Sequence, residues 1–220
     1  MKTTLLIIGG SLCLAGSVQA QVGVTAGLTY TQFTTATRRH PQTFNSGGKV
    51  GYQVGAFYER KISERLSLVP EVQFSQQRAS LNIQDFEEGY QVAYQARLTY
   101  VSVPLALRAY LGKVYLDLGS QVGALLQAHE KGTLDTRSVF DRSPTAVRAF
   151  TQSAPDSYQR LQLASLVGLG LKLPAGWAGH VRVTNNWGNM KRNNQPYRYT
   201  GSLGNVTCQA SLSYQWPGKP

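Results

Sequence analysis

Apolar and polar residues alternate with a period of two through eight separate segments of this chain. Successive side chains of a strand point to opposite sides, so a sustained period of two specifies β-structure with one apolar and one polar face. Residues 21–31 place Val22, Val24, Ala26, Leu28 and Tyr30 on one face, and Gln21, Gly23, Thr25, Gly27 and Thr29 on the other. Residues 205–216 are the cleanest, with Val206, Cys208, Ala210, Leu212, Tyr214 and Trp216 against Asn205, Thr207, Gln209, Ser211, Ser213 and Gln215. The other segments are 49–60, 66–76, 98–110, 114–128, 161–173 and 180–189. Pro70 and Pro104 each remove a ladder donor from their strands. Short connections (61–65, 111–113, 174–179) alternate strictly with long ones (33–48, 79–96, 129–157, 190–202). That rhythm predicts an all-β, closed eight-stranded antiparallel up-and-down barrel, with short turns at one end and long loops at the other.

Alternation does not say which face points outward, because a soluble eight-stranded barrel has its apolar face inside. Composition decides it. Only 15% of residues are charged and 22 are glycine, against about 25% and about 7% in an average soluble domain. The polar face is built of Gly, Ser, Thr and Gln rather than the Lys and Glu of a water-exposed surface. Tyr30, Phe74 and Trp187 fall at the long-loop ends of the apolar face, and Tyr58, Tyr214 and Trp216 at the short-turn ends, as interfacial aromatic girdles do. The apolar face is therefore expected to meet lipid, which makes this a transmembrane β-barrel of the cell outer membrane with both mature termini periplasmic.

The N-terminus fits export. Lys2 precedes an apolar run from Leu5 to Ala15 that is too short to span a bilayer, and Val18-Gln19-Ala20 resembles a signal-peptidase site. Residues 1–20 are read as a cleaved signal peptide, 21–216 as the barrel domain and 217–220 as a short C-terminal tail. Cys13 departs with the signal, which leaves Cys208 alone and excludes an intramolecular disulfide.

Charges on the polar face are few and of both signs: Glu59, Glu71 and Asp117 against Arg108, Lys172 and Arg182. In a lumen just wide enough for side chains to fill they are expected to pair, since unpaired buried charge is costly. Glycines on this face, such as Gly51, Gly119 and Gly168, relieve crowding where strands tilt.

The segment from Tyr100 to Tyr110 (YVSVPLALRAY), the strand from Val114 to Leu126 (VYLDLGSQVGALL) and the stretch Arg182–Gly188 together resemble the PorT-like outer-membrane β-barrel family of Gram-negative bacteria. The resemblance covers 21–216, implies the same eight-stranded barrel, and makes Pro104 a family feature. Ser120 stands where that family often has proline, and Pro217–Pro220 extends past the terminal aromatic Trp216. Some relatives assist protein secretion, so a secretion-assisting barrel is the alternative that the resemblance implies, while the room left by the lumen glycines keeps a porin-like narrow channel as another.

Chemistry has few footholds. His129 with Asp135 or Asp141 and Ser138 or Ser143 is a conceivable nucleophilic set in the third long connection, but such loops produce these coincidences freely. Asp85, Glu87 and Glu88 read as a solvated acidic loop rather than a divalent-cation site. His40 and His180 belong to a loop and to the border of a turn. No cofactor, metal or catalytic residue is assigned. The formal net charge of +11 is scattered rather than striped, which argues against nucleic acid. One concentration stands out. Arg38 and Arg39 in the first long loop, and Lys191, Arg192 and Arg198 in the fourth, would become neighbours on closure and could face lipopolysaccharide phosphates.

The sequence thus predicts a non-enzymatic integral outer-membrane barrel with a structural or loop-mediated binding role. Its partners would be outer-membrane lipid, the barrel-insertion machinery during biogenesis, and a protein met through the outside loops.

Overall fold

The computed structural model describes residues 20–36, 42–85, 90–137, 144–190 and 202–216. Within them lie nine antiparallel strands: β1 Ala20–Ala36, β2 Gln42–Lys61, β3 Leu66–Asp85, β4 Tyr90–Leu111, β5 Val114–Arg137, β6 Pro144–Ser153, β7 Leu161–Lys172, β8 Trp177–Trp187 and β9 Ser202–Gln215. Each of β1 to β5 pairs with the next, and β5 then pairs with β7 along its first half and with β6 along its second. β7, β8 and β9 follow in order, and β9 returns to β1. Eight strands therefore close into a ring, with β6 as an added arm. Closure leaves no open edge, the condition for burying strands in lipid.

The short turns are as tight as expected. β4 and β5 are joined by Gly112 and Lys113, and Gly112 adopts φ 70°, a region that glycine enters without a Cβ penalty. The prolines interrupt two ladders. β3 and β4 pair from Leu66 opposite Ala109 to Pro70 opposite Leu105, and resume at Gln73 opposite Ser102. Pro104 falls within that interval, whereas Pro70 falls in a gap of the β2–β3 ladder between Glu71 opposite Phe57 and Leu68 opposite Arg60, so each missing donor interrupts its own ladder.

Along the short-turn half of the ring, parity places the side chains as predicted. Val22, Val24, Leu28, Val54, Val72, Leu105, Leu118, Val167 and Leu169 point outward and are exposed, while Thr25, Gln53, Gln73, Ser102, Gln121 and Gln209 are buried inside. Such an inside-out arrangement suits a lipid solvent. Trp177, Trp187 and Trp216 are all exposed near strand ends. Trp177 begins β8 in a segment expected to be a turn, and it packs on Tyr214 with ring centroids 5.1 Å apart.

The long connections differ from expectation. Residues 79–96 are not mainly loop: β3 and β4 continue as a hairpin, with Asp85 opposite Tyr90. β5 likewise runs on to pair with β6, which occupies much of the third expected loop. The physical reason is an inversion of polarity. Beyond Gln77 the inward residues become apolar (Ala79, Leu81, Ile83 on β3; Val92, Tyr94, Ala96, Leu98 on β4), while Ser80, Asn82, Gln95 and Arg97 face out. Phe33, Tyr100, Tyr158, Met190 and Leu203 join them in one buried apolar cluster inside the far half of the ring. Water, not lipid, is the solvent that this half expects.

Candidate functional site

Five of the six charges expected in the lumen converge. Arg108 stands directly opposite Asp117 in the β4–β5 ladder. Its Nε donates to Asp117 Oδ1 at 2.7 Å and its Nη2 to Oδ2 at 3.0 Å, the paired-fork geometry that strengthens guanidinium–carboxylate bonds. Arg182 reaches the same Asp117 Oδ2 through Nε at 3.2 Å and Nη2 at 3.0 Å, and its Nη1 donates to Glu71 Oε2 at 2.6 Å. Arg108 Nη1 also lies 3.5 Å from Glu59 Oε2. The result is one chain across the lumen, Glu59–Arg108–Asp117–Arg182–Glu71, with every member buried.

The ladder shows why this chain can form. Asp117 faces Gly168, and Gly168 faces Arg182. A Cβ on Gly168 would stand 2.7 Å from Arg182 Cγ. Glycine there lets the guanidinium cross an entire strand to its carboxylate. Gly170 does the same for an aromatic, since a Cβ would lie 2.1 Å from Tyr115 Cζ. The Tyr115 ring in turn carries the Arg108 guanidinium at 4.0 Å.

Lys172 does not join the chain. It is exposed at the short-turn mouth, with Nζ 3.7 Å from the centre of the Tyr110 ring, and forms no ion pair among the described residues. Tyr110 donates its hydroxyl to Glu59, and Gln215 Nε2 donates to the same carboxylate at 3.1 Å. His180, expected beside a turn, lies inside β8 and is buried, with no hydrogen-bond partner for either ring nitrogen among the described residues. Parity could have found it, because Val181 and Val183 face outward.

Above the charges, neutral side chains close the bore. Gln73 donates to Gln53, which donates to Ser211 Oγ at 2.6 Å, and Thr31 meets Thr207 at 3.0 Å. Higher still, Asn186 bonds Gln162 and Asn205, Gln162 bonds the Tyr100 hydroxyl, and Asn205 bonds Gln77. The space left among these last groups is about 10 Å³, roughly what one water occupies. In the apolar half, Tyr158 donates to Glu130 at 2.7 Å and Gln152 donates to its other oxygen at 2.9 Å.

Residues 17–202 match the family described as outer membrane protein beta-barrel domain. The chain belongs to that family. Its outward apolar band is thus the lipid face of an outer-membrane barrel, and the closed lumen crosses that membrane. A search of curated proteins returned no match. Among solved structures the barrel is similar to Ail of Yersinia pestis (13% identity, 90% of this chain and 99% of that one, TM-score 0.44). It is similar also to OprG of Pseudomonas aeruginosa (10%, 91% and 98%, 0.45) and to the outer membrane protease OmpT of Escherichia coli (10%, 92% and 99%, 0.42). Likeness at this level carries no argument about activity.

The remaining expected sites divide. Arg38, Arg39, Lys191, Arg192 and Arg198 lie outside the described residues, as do His40, Glu87, Glu88, Ser138, Asp141 and Ser143. Asp85 ends β3. His129 and Asp135 both belong to β5. Six residues separate them, about 20 Å along a strand, so they cannot share a proton.

Proposed function

We propose that this barrel is a non-conducting, non-enzymatic anchor that acts through what it presents above the outer membrane. The observation that carries the reading is the continuous side-chain plug, from the Glu59–Arg108–Asp117–Arg182–Glu71 chain to the Asn186–Asn205–Gln77 group. An ion entering the lumen would have to displace bidentate ion pairs whose partners would then be left buried and unpaired. Of the two aspartates considered for His129, Asp135 is too far along β5 to serve it. Within the family, the likeness of Tyr100–Tyr110 and Arg182–Gly188 to PorT-like barrels supports the finer assignment to that group. A secretion-assisting role would then run through partners bound outside the bore.

Planar-bilayer recording tests the reading. The refolded protein is expected to give no conductance steps above background at neutral pH. Stable unitary steps would overturn it in favour of a narrow channel.

A further inference from the structure

Three basic side chains stand in one cross-strand row on the outside of the barrel, Arg78 of β3 opposite Arg97 of β4 and Arg97 opposite His129 of β5. Lys49 of β2, at an irregularity in the β2–β3 ladder, borders the same groove. Like charges directly opposed on neighbouring strands repel. No carboxylate answers them: none of the four forms an ion pair among the described residues. Arg78 donates to the neutral Gln76 side chain at 2.8 and 3.2 Å. The nearest acid in sequence, Glu130, points inward and is held by Tyr158 and Gln152. Asp135 is farther along β5. The row lines a groove of about 560 Å³, to which Lys131 adds another basic side chain.

Its height is set by the apolar band. Lys49 adjoins Val50, which pairs with Tyr30 of the outer aromatic girdle, and the Tyr30 ring lies over Gly48. Arg78 follows Phe74 by four residues, a rise of about 10 Å on a strand tilted about 40°. That is headgroup depth. From Lys49 to His129 the groove spans three strand spacings, about 14 Å, which is the width of a disaccharide with a phosphate at each end.

We propose that this row is a binding site for the phosphorylated disaccharide headgroup of an outer-leaflet glycolipid, with the acyl chains lying along the apolar band below. The site deepens the proposed function by naming one partner of the outer surface, and it rests on that reading only for a barrel that acts from outside. It is separate from the loop cations Arg38, Arg39, Lys191 and Arg192.

Detergent-folded full-length protein is mixed with diphosphoryl lipid A, monophosphoryl lipid A or inorganic pyrophosphate, and bound lipid is read by native mass spectrometry. Diphosphoryl lipid A is expected to bind about tenfold tighter than the monophosphoryl form. K49Q/R78Q/R97Q is expected to abolish that preference while keeping the heat-modifiable mobility of a folded barrel. Arg97→Gln alone, at an exposed site, should reduce it by about threefold to tenfold. The proposal fails if wild type does not distinguish the two lipids, or if the folded triple variant and Arg97→Gln both retain the preference. It fails too if equimolar pyrophosphate displaces the lipid, which would mean a free-anion site, or if only R38Q/R39Q/K191Q/R192Q loses binding. Conductance is unaffected by any of these outcomes, so the closed-barrel reading stands or falls separately.

Discussion

Asp117 and Arg182 are bonded across an intervening strand: Gly168 lies between them in the ladder, and the guanidinium passes over it to reach Asp117 Oδ2 at 3.0 Å. A single carboxylate thereby serves two buried guanidiniums. It is the point on which the lumen's electrostatics turn.

Asp117→Asn should therefore cost far more than loss of a charge outside the chain. It leaves Arg108 and Arg182 sharing only Glu59 and Glu71, and breaking a buried pair from one side costs about 3–5 kcal/mol. Lys172→Gln, at the exposed mouth, should cost less than about 1 kcal/mol. Urea unfolding in detergent, read by the gel shift of the folded barrel, ranks the two. Equal midpoints would contradict the convergent arrangement.

Gly168→Leu should mimic Asp117→Asn without touching a charge. Its side chain would occupy the path of Arg182, adding overpacking of about 1–3 kcal/mol to the loss of the ion pair. An urea midpoint like that of wild type would show that Arg182 does not need the gap.

Tyr158 gives a pH-dependent readout above the membrane. Burial, with Tyr94 and Glu130 beside it, holds its phenol well above the usual value of about 10. The unfolded chain loses this proton near pH 10 while the folded barrel keeps it, so the folded state binds more protons and stability falls as pH rises past 10. Tyr158→Phe removes the titration. Its stability should be lower at neutral pH, by about 1–3 kcal/mol for the hydrogen bond that the buried Glu130 loses, and should decline less steeply between pH 10 and 12. Parallel decline in the two proteins would refute the assignment.

The three tryptophans report on depth. Trp177, Trp187 and Trp216 all face outward near strand ends, at the interfacial level that aromatic belts occupy. Lipids brominated near the headgroup should quench their fluorescence more than lipids brominated at the chain ends. The reverse order would place the girdles wrongly.

Much of this fold is legible in the sequence because lipid is an unforgiving solvent. Outward positions of the band are overwhelmingly apolar, so parity alone identifies Val72, Phe74, Leu105 and Leu107 as lipid-facing and Glu71, Arg108 and Asp117 as interior. The strand extensions escape the same test. At Gln76 and Gln77 the apolar side of β3 changes from outward to inward, and a reader following one phase sees the pattern dissolve into loop. The charged chain is legible as a list of residues, but not its order. Only the ladder reveals that Gly168 separates Asp117 from Arg182, and no spacing in sequence brings Arg182 to Glu71. The basic row is hidden for the same reason: Arg78, Arg97 and His129 lie far apart until β3 to β5 are set in register.

The inversion of polarity along β3 and β4 also works as a depth stop. Pushed inward by one turn of the pleat, the barrel would carry Arg78 and Arg97 into hydrocarbon. Pulled outward, it would strip Val72 and Leu105 of lipid. Either displacement is opposed by the chain itself, so the vertical position of the molecule is written into two strands and needs no external tether.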